Sequence, residues 1–377
     1  MKTICFCAIV KNESKVIERC LQSVKHLMDY WIIIDTGSTD GTQDIIKNYL
    51  KDIPGQLIEK PWKDFATCRN YYVQAAAHKT DYILHQDADE ILIPNQNFNT
   101  HNFKQNLTAD VYGITFQMNT IKYVRRALFK NDNTKKYIGV IHENLVTHTG
   151  SETYDIVNDF YQTSPADGNR STITNWEEKF LKDAQIFENA INDPDTDPNI
   201  IPRYKFYLAN SLRDANQYQK AIDAYLNYLQ NYAWNQEAYM SYYHCYKLAT
   251  EKCNHNPDNY IHLIHKACEL IPERLEAPFL LTRYYLTKNY NELAYRFAHY
   301  SLFIQPKQLN MLDTLFYESS IYDYHMPIEY SVACYNTQRY YECLDVNIKL
   351  LDKSPPEHIQ NHIMHNINCC KNKLNLA

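Results

Sequence analysis

The hydrophobic period of this chain changes partway along its length. Up to about residue 150, short apolar runs alternate with amphipathic stretches, whereas after about residue 172 the 3.6-residue period persists almost alone. The first pattern builds a sheet covered by helices, and the second builds helices only. A chain of 377 residues also exceeds the usual reach of one hydrophobic core. Two domains are therefore expected, an α/β domain over residues 1–170 and an all-α domain over residues 171–377.

In the first half, TICFCAIV (3–10) is continuous enough for a buried parallel strand. Val16, Ile17, Cys20, Leu21, Val24 and Leu27 then fall on one helical face. YWIIID (30–35) reads as a second strand, GSTDGT as a tight loop and QLIEK (56–60) as a third strand. A helix is expected over 64–77, followed by a fourth strand, DYILHQ (81–86), and by further strands at 111–118, 125–129 and 137–142. Ligands of open α/β sheets collect at the carboxyl ends of strands. Those ends are Lys11 to Glu13, Asp35 to Asp40 and Asp87 to Glu90.

In the second half, residues 202–232 read as a helix, a short turn and a helix, with Ala209 and Ala221 where the two would approach closely. Similar pairs are expected at 235–270, 274–304 and 325–352. The arrangement resembles tetratricopeptide (TPR) repeats, whose stacked surfaces can bind an acceptor or mediate homo-oligomer formation.

Charge and composition remove several classes. A formal net charge of -6 argues against a general nucleic-acid binder. The opening MKTICFCAIVKNES has too short an apolar segment for a signal peptide, and no run approaches the roughly 18 apolar residues of a membrane span. The 11 cysteines include no CxxC pair, which points to reduced thiols and a cytoplasmic location.

The stretch YILHQDADEILIP (82–94) sets Asp87, Asp89 and Glu90 together at the end of a buried run. Like charges this close repel, and burying any of them unpaired is costly. In extended backbone Asp87 and Asp89 project to one side and Glu90 to the other. Two carboxylates on one side suit a hard divalent ion, Mn²⁺ or Mg²⁺, which keeps several waters and also binds phosphates. Turn and capping roles are the competing reading for any single D-x-D. Asp40 is expected to cap the helix that follows it, which leaves Asp35 free to touch a base or ribose.

Together CAIVKNES, IIDTGSTDGT, WKDFATCRNYYVQAA and YILHQDADEIL resemble the successive motifs of family 2 glycosyltransferases with a GT-A fold, in particular the WaaE/SunS-like subgroup. The likeness is good over residues 3–95 and looser to about 150. It implies inverting transfer of a hexose, glucose first among them, from a UDP-sugar to a glycan, lipid-linked sugar or protein acceptor. By the same likeness Val10, Lys11 and Glu13 border the nucleotide, Asp35 contacts uracil or ribose, and Arg69 lies near the diphosphate. Many members carry a second acid where this chain has Thr36. Asp87 is implied to touch ribose and metal, Asp89 to be the main metal ligand, and His142 to complete the metal site. The segment YIGVIHENLV resembles the family's V-H-E element, so Glu143 is the expected general base, with Glu90 second.

Two other readings compete. An inactive GT-A and TPR scaffold would bind nucleotide or a partner protein only, against which the intact D-x-D and Arg69 stand. A nucleotidyltransferase would need a glycine-rich phosphate loop after the first strand, which Lys11 without glycines does not supply.

Overall fold

The computed structural model describes residues 1–118, 121–148, 152–169, 175–304, 309 and 314–376. The chain forms two compact units, Met1–Ala215 and Asn216–Ala377. The first begins with strands β1 (Ile4–Val10), β2 (Tyr30–Asp35), β3 (Gly55–Glu59), β4 (Tyr82–His85) and β5 (Ile91–Pro94). It continues with β6 (Val111–Met118), β7 (Ile121–Lys130), β8 (Lys135–Ile138), β9 (Asn144–Thr147) and β10 (Tyr154–Thr163). Its helices are α1 (Ile17–Val24), α2 (Thr42–Tyr49), α3 (Phe65–Ala76), α4 (Thr100–Gln105), α5 (Trp176–Asn192) and α6 (Ile201–Asp214).

The main sheet runs β3-β2-β1-β4-β7-β6-β10-β5. β1 pairs in parallel with β2 on one side and with β4 on the other, and β2 pairs in parallel with β3. β7 is antiparallel to both β4 and β6. Strand order therefore reverses direction at β1, and the carboxyl ends of β1 and β4 form a topological switch point. One sheet face buries Phe6, Ile33 and Leu84 against Cys20, Leu21 and Val24 of α1. The other buries Cys7, Ile32 and Ile83 against Tyr72 and Ala76 of α3. Each such side chain contributes about 1.5–3 kcal/mol relative to exposure, so the parallel half is a firm platform.

α3 starts where expected because the Asp64 carboxylate accepts from the Thr67 N–H at 2.6 Å. Ahead of α2, Asp40 accepts from the Thr42 N–H and hydroxyl, while the cap position itself is Gly41 in left-handed backbone at φ 88°. The strand expected over 137–142 is shorter. It ends at Ile138, because Gly139 at φ 111° and His142 at φ 50° take left-handed backbone that cannot continue a ladder. Residues 139–143 instead form the loop of the β8–β9 hairpin. Strands β5, β9 and β10 and the short α4 were not legible in the hydrophobic pattern.

β10 ends at Thr163 and α5 begins at Trp176, and the boundary expected at 170 falls at residues 170–174, which lie outside the described residues. The compact division comes later, at 215, since α5 and α6 pack with the sheet unit. The Val140 N–H donates to the Tyr204 hydroxyl at 3.1 Å, and the His142 ring stacks on Tyr207 at 4.3 Å.

The second unit contains α7 (Tyr218–Leu229), α8 (Asn235–Lys247), α9 (Ile261–Leu270), α10 (Glu276–Thr287) and α11 (Asn291–His299). It ends with α12 (Met326–Asn336), α13 (Tyr340–Leu351) and α14 (Glu357–Leu374). Consecutive helices pack on one another from α7 to α14. The expected pairs over 235–270, 274–304 and 325–352 are α8 with α9, α10 with α11 and α12 with α13. The turns inside the last two pairs each carry one left-handed residue, Asn289 at φ 59° and Gln338 at φ 65°. This repetition is the TPR-like character of the unit. Among the described residues no helix is long and apolar enough to cross a membrane.

Candidate active site

Three loops meet at the carboxyl ends of β1, β2 and β4. The first two are laced together by backbone donors. The Asn12 N–H donates to Ser38 Oγ at 2.9 Å, the Glu13 N–H to Thr42 Oγ1 at 2.8 Å and the Ser14 N–H to Asp40 at 3.0 Å. Val10 is buried, and its carbonyl accepts from the Thr36 N–H and hydroxyl, so it brings wall rather than polar contact to the site. Lys11 is exposed beside it.

Asp35 is fully buried. Its Oδ1 accepts from the N–H groups of Gly37 and Ser38, both at 2.7 Å, and its Oδ2 is buried with no hydrogen-bond partner among the described residues. A buried acceptor left open costs about 1–3 kcal/mol, and a donor on a ligand would satisfy it.

At the end of β4, Asp87 and Asp89 are partly exposed while Ala88 and Glu90 are buried. The acids separate as expected, but the backbone is not extended. A turn, in which the Glu90 N–H donates to the Asp87 carbonyl at 3.1 Å, leaves both Asp side chains partly exposed. Burial and the neighbouring Asp87 raise the Asp89 carboxyl above its ordinary range. For Asp87 the cost of burial is outweighed by Arg69, His85 and Arg125, which hold its carboxyl low.

Glu13 sits with this group. Burial, together with the charges of Asp89, Asp40 and Asp87, raises its carboxyl to about 7.

Arg69 is buried, with Nε donating to Glu143, Nη2 to Asp87 at 3.2 Å and Nη1 against His85 Nε2 at 2.6 Å. Burial and the nearby guanidinium push the His85 imidazole well below its usual range, so it is neutral, and Tyr72 contacts its Nδ1 at 3.1 Å. Every arm of the Arg69 fork is engaged inside the protein. The arginine expected near the diphosphate is therefore a brace between Asp87 and Glu143.

Glu90 differs from the expectation of a reserve base. Arg125 grips it with two bonds of 2.6 and 2.8 Å, and it also accepts from the Asp87 N–H at 3.1 Å. Both oxygens are committed beneath the turn. Glu143 offers more, because Arg69 holds Oε1 while Oε2 has no hydrogen-bond partner among the described residues. His142 has left-handed backbone, its ring stacks on Tyr207 and Phe187, and its carbonyl accepts from Arg203.

Among the described residues no group of three His, Cys, Asp or Glu side chains converges as a closed metal site. The donor set still fits a hard cation. Asp87 and Asp89 are two carboxylates with excess negative charge between them, and Mn²⁺ or Mg²⁺ takes waters and phosphate oxygens for its remaining ligands. Sequence reasoning missed His85, Arg125 and Gln162, whose amide bridges Gln86 and the His85 carbonyl. Adjacency to the D-x-D was the one signal for His85. Arg125 was read only as part of a strand.

The family model described as Glycosyl transferase family 2 matches residues 5–139. The SPbeta prophage-derived glycosyltransferase SunS of Bacillus subtilis is 25% identical over 233 residues, which is 59% of this chain and 52% of that protein. A TPR repeat-containing protein of Synechococcus elongatus is 39% identical over 94 residues, 25% of this chain and 22% of that one. An uncharacterized glycosyltransferase of Rickettsia prowazekii is 37% identical over 92 residues, 24% of this chain and 30% of the other. The matched stretches thus span about half of the first relative and less of the others. Among solved structures, S. aureus TarS 1-349 in complex with UDP-GlcNAc aligns with a TM-score of 0.35 and 13% identity, over 79% of this chain and 91% of that one.

Proposed function

We propose that the first unit, whose residues 5–139 match the family model described as Glycosyl transferase family 2, is an inverting glycosyltransferase that moves a hexose, with glucose as the first candidate, from a UDP-sugar to a glycan, lipid-linked sugar or protein acceptor. The observation that carries this reading is the partly exposed pair Asp87 and Asp89 after β4 at the switch point, together with the open buried oxygen of Asp35 at the end of β2.

In this mechanism Asp35 accepts a hydrogen bond from the uracil or ribose. Asp87 and Asp89 would hold Mn²⁺ or Mg²⁺, which would supply charge neutralisation at the leaving diphosphate. Glu143 takes the acceptor proton through Oε2 as the acceptor atom bonds to the anomeric carbon and the bond from that carbon to the diphosphate oxygen breaks. Arg69 holds Glu143 and Asp87 in one geometry, so that base and donor are aligned before the acceptor arrives. Acceptors include a glycan, a lipid-linked sugar or a protein, and the helical unit is a candidate platform for them or for a second copy of the chain.

A panel of UDP-, GDP- and TDP-sugars, each with Mn²⁺ or chelator, tests the reading through nucleotide release and binding. UDP release that needs metal and is lost in Asp89→Ala supports it. Absence of donor binding in the whole panel, with Asp89→Ala unchanged from the parent, sinks it.

A further inference from the structure

Asp89, just after β4, and Glu13, just after β1, are contacted by a segment more than seventy residues from either in sequence. Directly after β10, residues 164–169 cross over Asp89 and Glu13 and touch them in three independent ways. The Ser164 hydroxyl donates to Asp89 Oδ2 at 3.1 Å, and the same hydroxyl accepts from the Ala166 N–H at 2.9 Å, which fixes its direction. The Asn169 N–H donates to Glu13 Oε2 at 3.0 Å. Between them Gly168 lies so close that a methyl group there would come within 2.8 Å of Asp89 Cβ and 3.0 Å of Asp89 Oδ2. No bulkier residue fits without moving the Asp89 side chain or the segment itself.

The segment is tied down at a fourth point. Arg19 on α1 holds Asp167 with two bonds of 2.6 and 2.8 Å, and its Nη2 also reaches the Asp89 carbonyl at 3.4 Å. One guanidinium thus joins the segment to the backbone of the acid it covers. A two-point guanidinium fork sets orientation as well as distance.

We propose that residues 164–169 form a strap that positions Asp89 for the donor's cation, with the Arg19–Asp167 ion pair as its clasp. Arg19, Ser164, Asp167 and Gly168 are then positioning residues, and none of them touches the reacting atoms. The proposal rests on the metal-dependent reading of Asp89, and it explains why that carboxylate is held while keeping an oxygen for a cation. Ligating carboxylates need such outer partners, since a ligand about 0.5 Å out of place binds metal weakly. The clasp is partly exposed, with side-chain exposures of 36% and 43%, so its single removal should have a small effect. The glycine contact should have a large one.

The test is Mn²⁺ binding by the full chain, read by electron paramagnetic resonance without any acceptor, together with the melting temperature of each variant. Asp89→Ala should abolish the binding. Gly168→Ala should weaken it about 10-fold or more, and Ser164→Ala and Asp167→Ala about 3-fold each, with the melting temperatures of the last two unchanged. The double variant Arg19→Asp with Asp167→Arg should recover affinity lost in either single change. Strap variants that all bind Mn²⁺ like the parent, while Asp89→Ala does not, overturn the strap and leave the metal reading standing. A parent chain that binds no Mn²⁺, or binds it as well as Asp89→Ala, overturns the metal reading and the strap with it.

Discussion

Arg69 Nε donates to the carboxylate of Glu143, 74 residues away in sequence, while the same guanidinium donates to Asp87. One buried cation thus holds the candidate base and the first acid of the D-x-D in a fixed relation.

Removing that cation leaves the largely buried Glu143 without its ion-pair partner, while Asp87 is partly exposed and keeps His85 and Arg125 nearby. Arg69→Ala should cost about 3 kcal/mol of stability, within the range for breaking a buried pair from one side. Arg69→Lys keeps the charge but cannot reach both partners, so its melting temperature should recover more than its kcat. Urea unfolding beside initial-rate kinetics separates the two effects.

The two candidate bases predict opposite patterns. Glu143→Gln should keep the fold and donor binding while lowering transfer by about 10²–10⁴-fold, the usual worth of general-base catalysis. Glu90→Gln should act on stability first, because it removes the charge that Arg125 grips through two bonds. Donor affinity, transfer rate and melting temperature of the two variants, measured side by side, decide between them.

Glu13 makes stability depend on pH. Its carboxyl is raised from 4.5 to about 7 in the folded chain by burial and by Asp89, Asp40 and Asp87. Between those two values the native state binds more protons than the unfolded state, so stability falls as pH rises and levels off above about 7. Glu13→Gln should flatten that part of the profile. Saturating Mn²⁺ should flatten it too, since a cation beside Asp89 offsets the charges that raise the Glu13 carboxyl. Melting temperatures across pH 4–8, with and without metal, check both.

The third strand contains one glycine that packing requires. A methyl group on Gly55 would lie 2.3 Å from the Trp31 indole on the neighbouring strand. Gly55→Ala should therefore destabilise the sheet edge by about 1–3 kcal/mol, as overpacking does, with little change in metal affinity. Chemical denaturation with Mn²⁺ titration of the folded protein tests this separation.

Local chemistry determined much of this protein from the sequence alone. The period of the apolar residues set the α/β unit before the helical one, because burial on a sheet face and burial on a helix stripe require different spacings. The helix expected from about Asp64 begins there, whereas Asp40, expected as a cap, sits one residue before the actual cap position Gly41 and accepts from the Thr42 N–H. Asp87 and Asp89 were marked by their place after a buried strand. Long-range pairing was beyond such reasoning. The commitment of Glu90 to Arg125, the brace from Arg69 to Glu143 and the strap over Asp89 join residues that sequence spacing does not relate. Tertiary structure decided these because a carboxylate's role depends on which cation or donor meets it in space. His142 shows the same point, since its ring stacks on Tyr207, a contact that sequence spacing does not give.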